Sequence, residues 1–288
     1  TLSRISQLPY LLAELSAVMY GCEWLLMECI TPNPIKTMGE IMEALKFSKA
    51  TEQAKLKGIA HWLGYKPNVY TFSVPSGWTC PFAVDCLSKA DRYTGKITDG
   101  KETQFRCFSA TTEAYSATTR AQRWHNFDIL RKLDSEGMVS ALHEALPKNA
   151  DIVRVHVGGD FFNQRYFEAW LQVARLNQGV TFYAYTKSLP YWVANLGRIP
   201  ENFVLTASRG GRMDNLIDEE SLKVAEVVFS LEEAEEKNLP IDHDEYFAIN
   251  NAGNFGLLIH GTQPKGSKAG EAMKNLKAQG VEFAYSRN

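Results

Sequence analysis

Six short runs rich in β-branched and aromatic residues constrain what this chain can fold into more than any other feature. They cover 68–74, 152–157, 180–185, 202–206, 224–229 and 255–259. Each is close to continuously apolar, the pattern of a strand covered on both faces. Stretches of helical character separate them, at 109–146, 164–176, 189–196 and 231–237, and 269–278 follows the last run. Strands alternating with helices imply parallel β-α units, and right-handed crossovers leave two arrangements: an open doubly wound sheet or an incomplete (β/α) barrel.

The first 66 residues read differently. Leu8, Leu11, Leu12, Leu15 and Met19 recur at helical spacing, Pro32-Asn33-Pro34 interrupts, and further helices are expected from near Thr37 and near Thr51, the last ended by Gly64 and Pro67. The most apolar stretch, 17–30, is too short to span a bilayer and carries Glu23 and Glu28. The first residues show no basic, apolar and small-residue succession of a secretory leader, so a cytoplasmic setting is expected.

Composition narrows the function classes. With 31 basic and 33 acidic residues the net charge is −2, and 45% of residues are hydrophobic, which excludes disorder and a polybasic tail and disfavours nucleic acid as partner. Residues 213–247 hold 12 acidic against 2 basic side chains, read as a solvated helical face.

In either α/β arrangement ligands meet the loops at the carboxyl ends of the strands. Those loops read Pro75-Ser76-Gly77-Trp78-Thr79-Cys80, Gly158-Gly159-Asp160, Thr186-Lys187-Ser188, Ala207-Ser208-Arg209-Gly210-Gly211-Arg212, Ser230 and His260-Gly261-Thr262. Small, polar and charged residues gather at one rim, which suits a polar or anionic ligand. Gly158 and Gly159 would let a ligand approach the backbone, and the Asp160 carboxylate would meet an amine or hydroxyl, or cap a helix. The 260–270 segment, with Lys265, offers amides and positive charge to an anion but lacks the P-loop order.

Cys80, Cys86 and Cys107 stand at C-x5-C-x20-C in this rim region. Three thiols there suit a soft metal centre, zinc or iron–sulfur, or are three packed cysteines. Cys22 and Cys29 share a helical face and read as core. His125, His143, His156 and His243 show no metal-pair spacing, and Ser208 has no nucleophile-elbow context.

The cysteine loop after a first strand, with Gly-Gly-acid after a second, resembles the partial barrel of the radical S-adenosylmethionine superfamily. Thr79-Cys80-Pro81, 156–162 and 182–188 further resemble an uncharacterised bacteriophage-encoded family. The resemblance covers 69–267 and implies a partial (β/α) barrel of about six parallel strands over 67–288, with 1–66 as a helical extension. It implies Cys80, Cys86 and Cys107 as ligands of a [4Fe-4S] cluster with an open iron, although the superfamily's C-x3-C-x2-C spacing is absent. Gly158, Gly159 and Asp160 would meet the amino group of S-adenosylmethionine, and Ser208 its ribose.

The function expected on this basis is a phage-type iron–sulfur protein, a redox or radical-type enzyme of unnamed substrate. It would act in the host cytoplasm, served by an electron-donor protein and taking a small molecule at the open iron. Asp160 would orient an amine, with Lys187, Arg209 and Lys265 countering negative charge. The alternatives are a non-catalytic, metal-stabilised phage protein that binds a host partner, and a metal-free enzyme using the 260–270 loop for a phosphorylated substrate.

Overall fold

A computed structural model describes residues 44–50 and 54–281, within a compact unit that begins at Ala44. The expected helices over 1–43, with Cys22 and Cys29, lie outside the described residues. In chain order the elements begin with β1 (Ser48–Lys49), α1 (Ala54–Leu63), β2 (Val69–Phe72), β3 (Ser88–Ala90), β4 (Ile97–Asp99) and α2 (Phe108–Tyr115). There follow α3 (Ala117–Leu130), α4 (Ser135–Ala145), β5 (Ile152–Val155), α5 (Gln164–Leu176), β6 (Thr181–Thr186), α6 (Leu189–Val193) and β7 (Phe203–Ser208). The rest are α7 (Asn215–Glu219), β8 (Val224–Val228), α8 (Leu231–Glu236), α9 (Tyr246–Asn250), β9 (Phe255–Leu258) and α10 (Lys268–Ala278).

The fold is mixed α/β, with a largely parallel sheet of seven strands among the described residues, ordered β1-β2-β5-β6-β7-β8-β9. Only β1 is antiparallel to its neighbour. Each of the six apolar runs forms a strand, and all six are parallel. The sheet is open, with β1 and β9 as its edges.

Side chains alternate across the sheet. Val153, Phe182 and Phe203 are adjacent in register and pack with Leu130, Met138, Leu142, Phe167 and Trp170 from α3, α4 and α5. On the other face Val69, Ile152, Tyr183 and Phe255 meet Leu56 and Ile59 of α1 and Ala248 and Ile249 of α9. Cover on both faces is why the strands read as unbroken apolar runs. A third cluster joins β8 and β9 to α8 and α10 through Val228, Leu258, Ala234 and Leu276.

Helix α5 shows how local signals set an element. The Asn163 side chain accepts from the Tyr166 N–H at 2.8 Å, a polar N-cap. Tyr166, Phe167, Trp170, Leu171, Val173 and Ala174 then recur at helical spacing and are all buried. At the far end Asn177 donates from Nδ2 to the Val173 carbonyl at 2.7 Å.

The hairpin of β3 and β4 has no counterpart among the expected strands. Its strands are three residues long, and its turn is held by Asp91 Oδ1, which accepts from the N–H groups of Tyr93 and Thr94, with Gly95 at φ 72°. No helix among the described residues is long and apolar enough to cross a membrane.

Trp170 is fully buried and meets Phe47, Phe72, Tyr166 and Phe182. Trp170→Ala should cost about 3–5 kcal/mol in chemical denaturation, the transfer term plus the cavity term. A loss below about 1 kcal/mol would contradict this packing.

Candidate functional site

A cavity of about 150 Å³ opens at the carboxyl ends of the parallel strands. Its wall collects Ser76, Cys80 and Cys86 from the segment after β2, His156 and Asp160 after β5, and Lys187 after β6. Ser208 ends β7, Val227 and Leu257 come from β8 and β9, and Cys107 precedes α2. The rim inferred from the strand ends is therefore a real concavity, and apolar groups (Phe105, Phe108, Val157, Ile259) make up much of its remaining wall.

Asp160 is the most engaged polar group on the wall. Its Oδ1 accepts from the Phe161 N–H at 2.7 Å and the Thr186 hydroxyl at 2.6 Å, and Oδ2 accepts from the Lys187 N–H at 2.8 Å. Burial pushes the carboxyl up to about 6, against the lowering effect of those three hydrogen bonds and of the Lys187 ammonium. It is mostly ionised at neutral pH, and Oδ2, with one donor, keeps room for a second.

Lys187 stands where expected but does different work. Its backbone serves Asp160, while its ammonium donates to the Ser208 carbonyl at 2.8 Å, the Ser208 hydroxyl at 2.9 Å and the Arg209 carbonyl. With these three acceptors taken, the ammonium secures the end of β7 and is a positioning group. Ser208 accepts from Lys187 and keeps its own hydroxyl hydrogen to donate.

Gly158 and Gly159 are explained by the protein's own groups. A Cβ at Gly158 would lie 2.4 Å from Arg123 Nη1 and 2.5 Å from Ser109 Oγ. At Gly159, where φ is +83°, it would lie 2.4 Å from Val74 Cγ2. Behind Gly158 sits a buried ion pair that the sequence did not signal. Arg123 Nη1 and Glu113 Oε1 are 2.5 Å apart, and Glu113 Oε1 also accepts from the N–H and hydroxyl of Ser76.

Arg209 points away from the cavity, toward Asp218 and Glu226 at 3.4 Å each, and Lys265 is exposed outside it. The 260–270 segment meets the site through His260 and a clasp in which Gln263 accepts from the Arg106 N–H and donates to its carbonyl. An anion site on that loop has no support in this arrangement.

His156 lines the cavity although the sequence singled it out only for its lack of metal-pair spacing. It is buried at φ 69°, its Nε2 is 2.9 Å from the Tyr166 hydroxyl, and burial lowers its pKa to about 3, so the ring is neutral. Arg154, on the cavity floor, is paired with buried Glu245 at 2.9 Å.

The three cysteines line the cavity as free thiols. Burial pushes Cys80 well above the ordinary thiol range, with Asp160, Cys86 and Cys107 adding to it, and its Sγ accepts from the Gly77 N–H. Burial likewise raises Cys86 and takes Cys107 up to about 12. They are protonated, and the ligand form of cysteine is the thiolate.

A family model described as Gene product 88 matches residues 42–281. The chain belongs to the gene product 88 family. Neither curated proteins nor solved structures match it. The bacteriophage side of the sequence resemblance agrees with this family; its radical S-adenosylmethionine side does not hold.

Among the described residues no group of three or more His, Cys, Asp or Glu side chains is placed to hold a metal ion. The ligand set Cys80, Cys86 and Cys107, the [4Fe-4S] cluster and the open iron are corrected accordingly. With them go the iron–sulfur oxidoreductase, its electron donor, the small molecule at iron and the metal-stabilised alternative. S-adenosylmethionine, expected only as the ligand of that open iron, loses its support with the cluster.

Lys187→Met should lower stability by about 1–3 kcal/mol, because the carbonyls of Ser208 and Arg209 lose their buried donor. Denaturation curves superimposable on those of the unmodified protein would contradict the role given to the ammonium.

Proposed function

We propose that the chain binds a small ligand in the cavity, through a protonated amine on Asp160 and an apolar body against Phe105, Phe108, Val227, Leu257 and Ile259. The observation that carries this reading is a buried, mostly ionised carboxylate with a spare acceptor position on the wall of a largely apolar concavity. Such a combination, a few convergent polar groups in an apolar pocket, is the usual make-up of a small-molecule site. Cys80, Cys86 and Cys107 serve as uncharged, polarisable walls, and the Ser208 hydroxyl is a further donor.

Six parallel strands in chain order suit the open arc of a (β/α) barrel, an arrangement in which carboxyl-edge loops form the binding side. Free thiols fit a reducing compartment, and we read the setting as the cytoplasm of a phage host.

Benzylamine is a suitable probe, one ring bearing one ammonium, with benzyl alcohol as its uncharged counterpart. Calorimetry should show benzylamine binding near neutral pH and benzyl alcohol binding at least about tenfold more weakly. Benzylamine stays protonated on acidification while Asp160 takes up a proton, so affinity should fall by about tenfold at pH 5, one unit below the carboxyl's midpoint. Asp160→Asn should abolish both the preference and the pH dependence. Equal binding of the two probes, or binding unaltered in that variant, would refute the reading.

A further inference from the structure

Away from the cavity, the sheet is incomplete between β7 and β8. Strand β7 is six residues long, yet only Ala207 and Ser208 have partners on β8, Val224 and Ala225. Phe203–Thr206 have no strand on that side among the described residues. The Ala207 N–H donates to the Lys223 carbonyl at 2.8 Å and the Arg209 N–H to the Ala225 carbonyl at 3.0 Å. Backbone groups alternate along a parallel strand, so Phe203 and Leu205 face the gap; the Phe203 N–H is taken by the Pro200 carbonyl at 2.9 Å, which leaves the Phe203 C=O and the N–H and C=O of Leu205 turned into it.

A groove of about 970 Å³ lies along this gap. Phe203, Val204 and Leu205 form one side and Val224 the other, with Leu196 and Ile199 as an apolar flank. Leu196 is 42% exposed, unusual for a large aliphatic side chain. The connecting helix α7 has five residues where α5 has 13, so no long helix covers the gap.

The groove lining holds three carboxylates, Glu201, Asp218 and Glu220, against two cations, Arg209 and Lys223. Its cations are already engaged: Arg209 with Asp218 and Glu226, and Lys223 Nζ with the carbonyls of Phe247 and Ala248. Glu201 and Glu220 stand exposed on the lining, and Glu219 beside them is exposed too. They continue into the 213–247 segment, with its 12 acidic and 2 basic residues.

We propose that this groove takes an extended, basic segment of a partner protein, which adds to β7 as a strand. Only extended backbone satisfies an open strand edge, since its N–H and C=O groups recur at strand spacing. Alternate side chains of such a guest would face Leu196 and Ile199, and Lys or Arg at the other positions would meet Glu201 and Glu220. Charge then selects the partner while the backbone supplies the docking geometry.

The test uses the full chain and a fluorescein-labelled, capped peptide of alternating lysine and valine, followed by anisotropy. Two comparison peptides separate the components: glutamate with valine reverses the charge, and lysine with proline keeps it but removes the amide donors. The lysine–valine peptide should bind at least about tenfold more tightly than either. Glu201→Lys combined with Glu220→Lys, both at exposed positions, should turn the preference toward the glutamate–valine peptide. No binding of the lysine–valine peptide would overturn the proposal. So would equal affinity for the lysine–proline peptide, which would mean charge without strand addition, or for the glutamate–valine peptide, which would remove charge selection.

Discussion

The carboxylate of Asp160 ties together the rim on which the site depends. It accepts from the amide following it in the chain, from Thr186 and from the Lys187 amide, so the ends of β5 and β6 share one anion. The Lys187 side chain then extends the connection to the end of β7 through Ser208 and Arg209. Among buried groups such bonds are strong and each missing partner is costly. The elevated carboxyl and the position of the lysine are therefore two consequences of one arrangement.

Two further attachments close the cavity. The Val84 and Asp85 amides donate to the Gly210 carbonyl, which fixes the segment carrying Cys80 and Cys86 over the end of β7. The reciprocal bonds between Gln263 and Arg106 fix the other end of that insertion against the segment after β9. Between these two attachments in the chain lies the β3–β4 hairpin. Packing at Gly158 and Gly159 makes this closure fit, because side chains there would collide with Arg123, Ser109 and Val74.

The six parallel strands were legible because burial on both faces leaves a one-dimensional mark, an unbroken apolar run. The position of the cavity was legible for a related reason: parallel strands bring all their carboxyl ends to one edge, so Asp160, Lys187 and Ser208 fall together on its wall whatever lies between them. What one dimension does not encode is where a side chain points. Lys187 turns to the end of β7, Arg209 turns outward, and three cysteines that meet one cavity are not placed as metal ligands. The superfamily resemblance, whose cysteine spacing this chain lacks, overstated the chemistry. Glu113 and Arg123 pair between successive helices, Glu245 pairs with Arg154 from 91 residues away, and no local pattern marks these buried charges. The short β3 and β4 strands left too few residues for a periodic signal, although Asp91 through Gly95 is a recognisable turn composition.

The most direct test of the account is an NMR pH titration that follows the amide signals of Phe161 and Lys187, the two backbone donors to Asp160. Both should move together with a midpoint of about 6, since protonating one shared carboxylate weakens both bonds at once. Midpoints at the ordinary aspartate value of about 4, or amides that do not titrate together, would contradict a buried carboxylate at the centre of the rim.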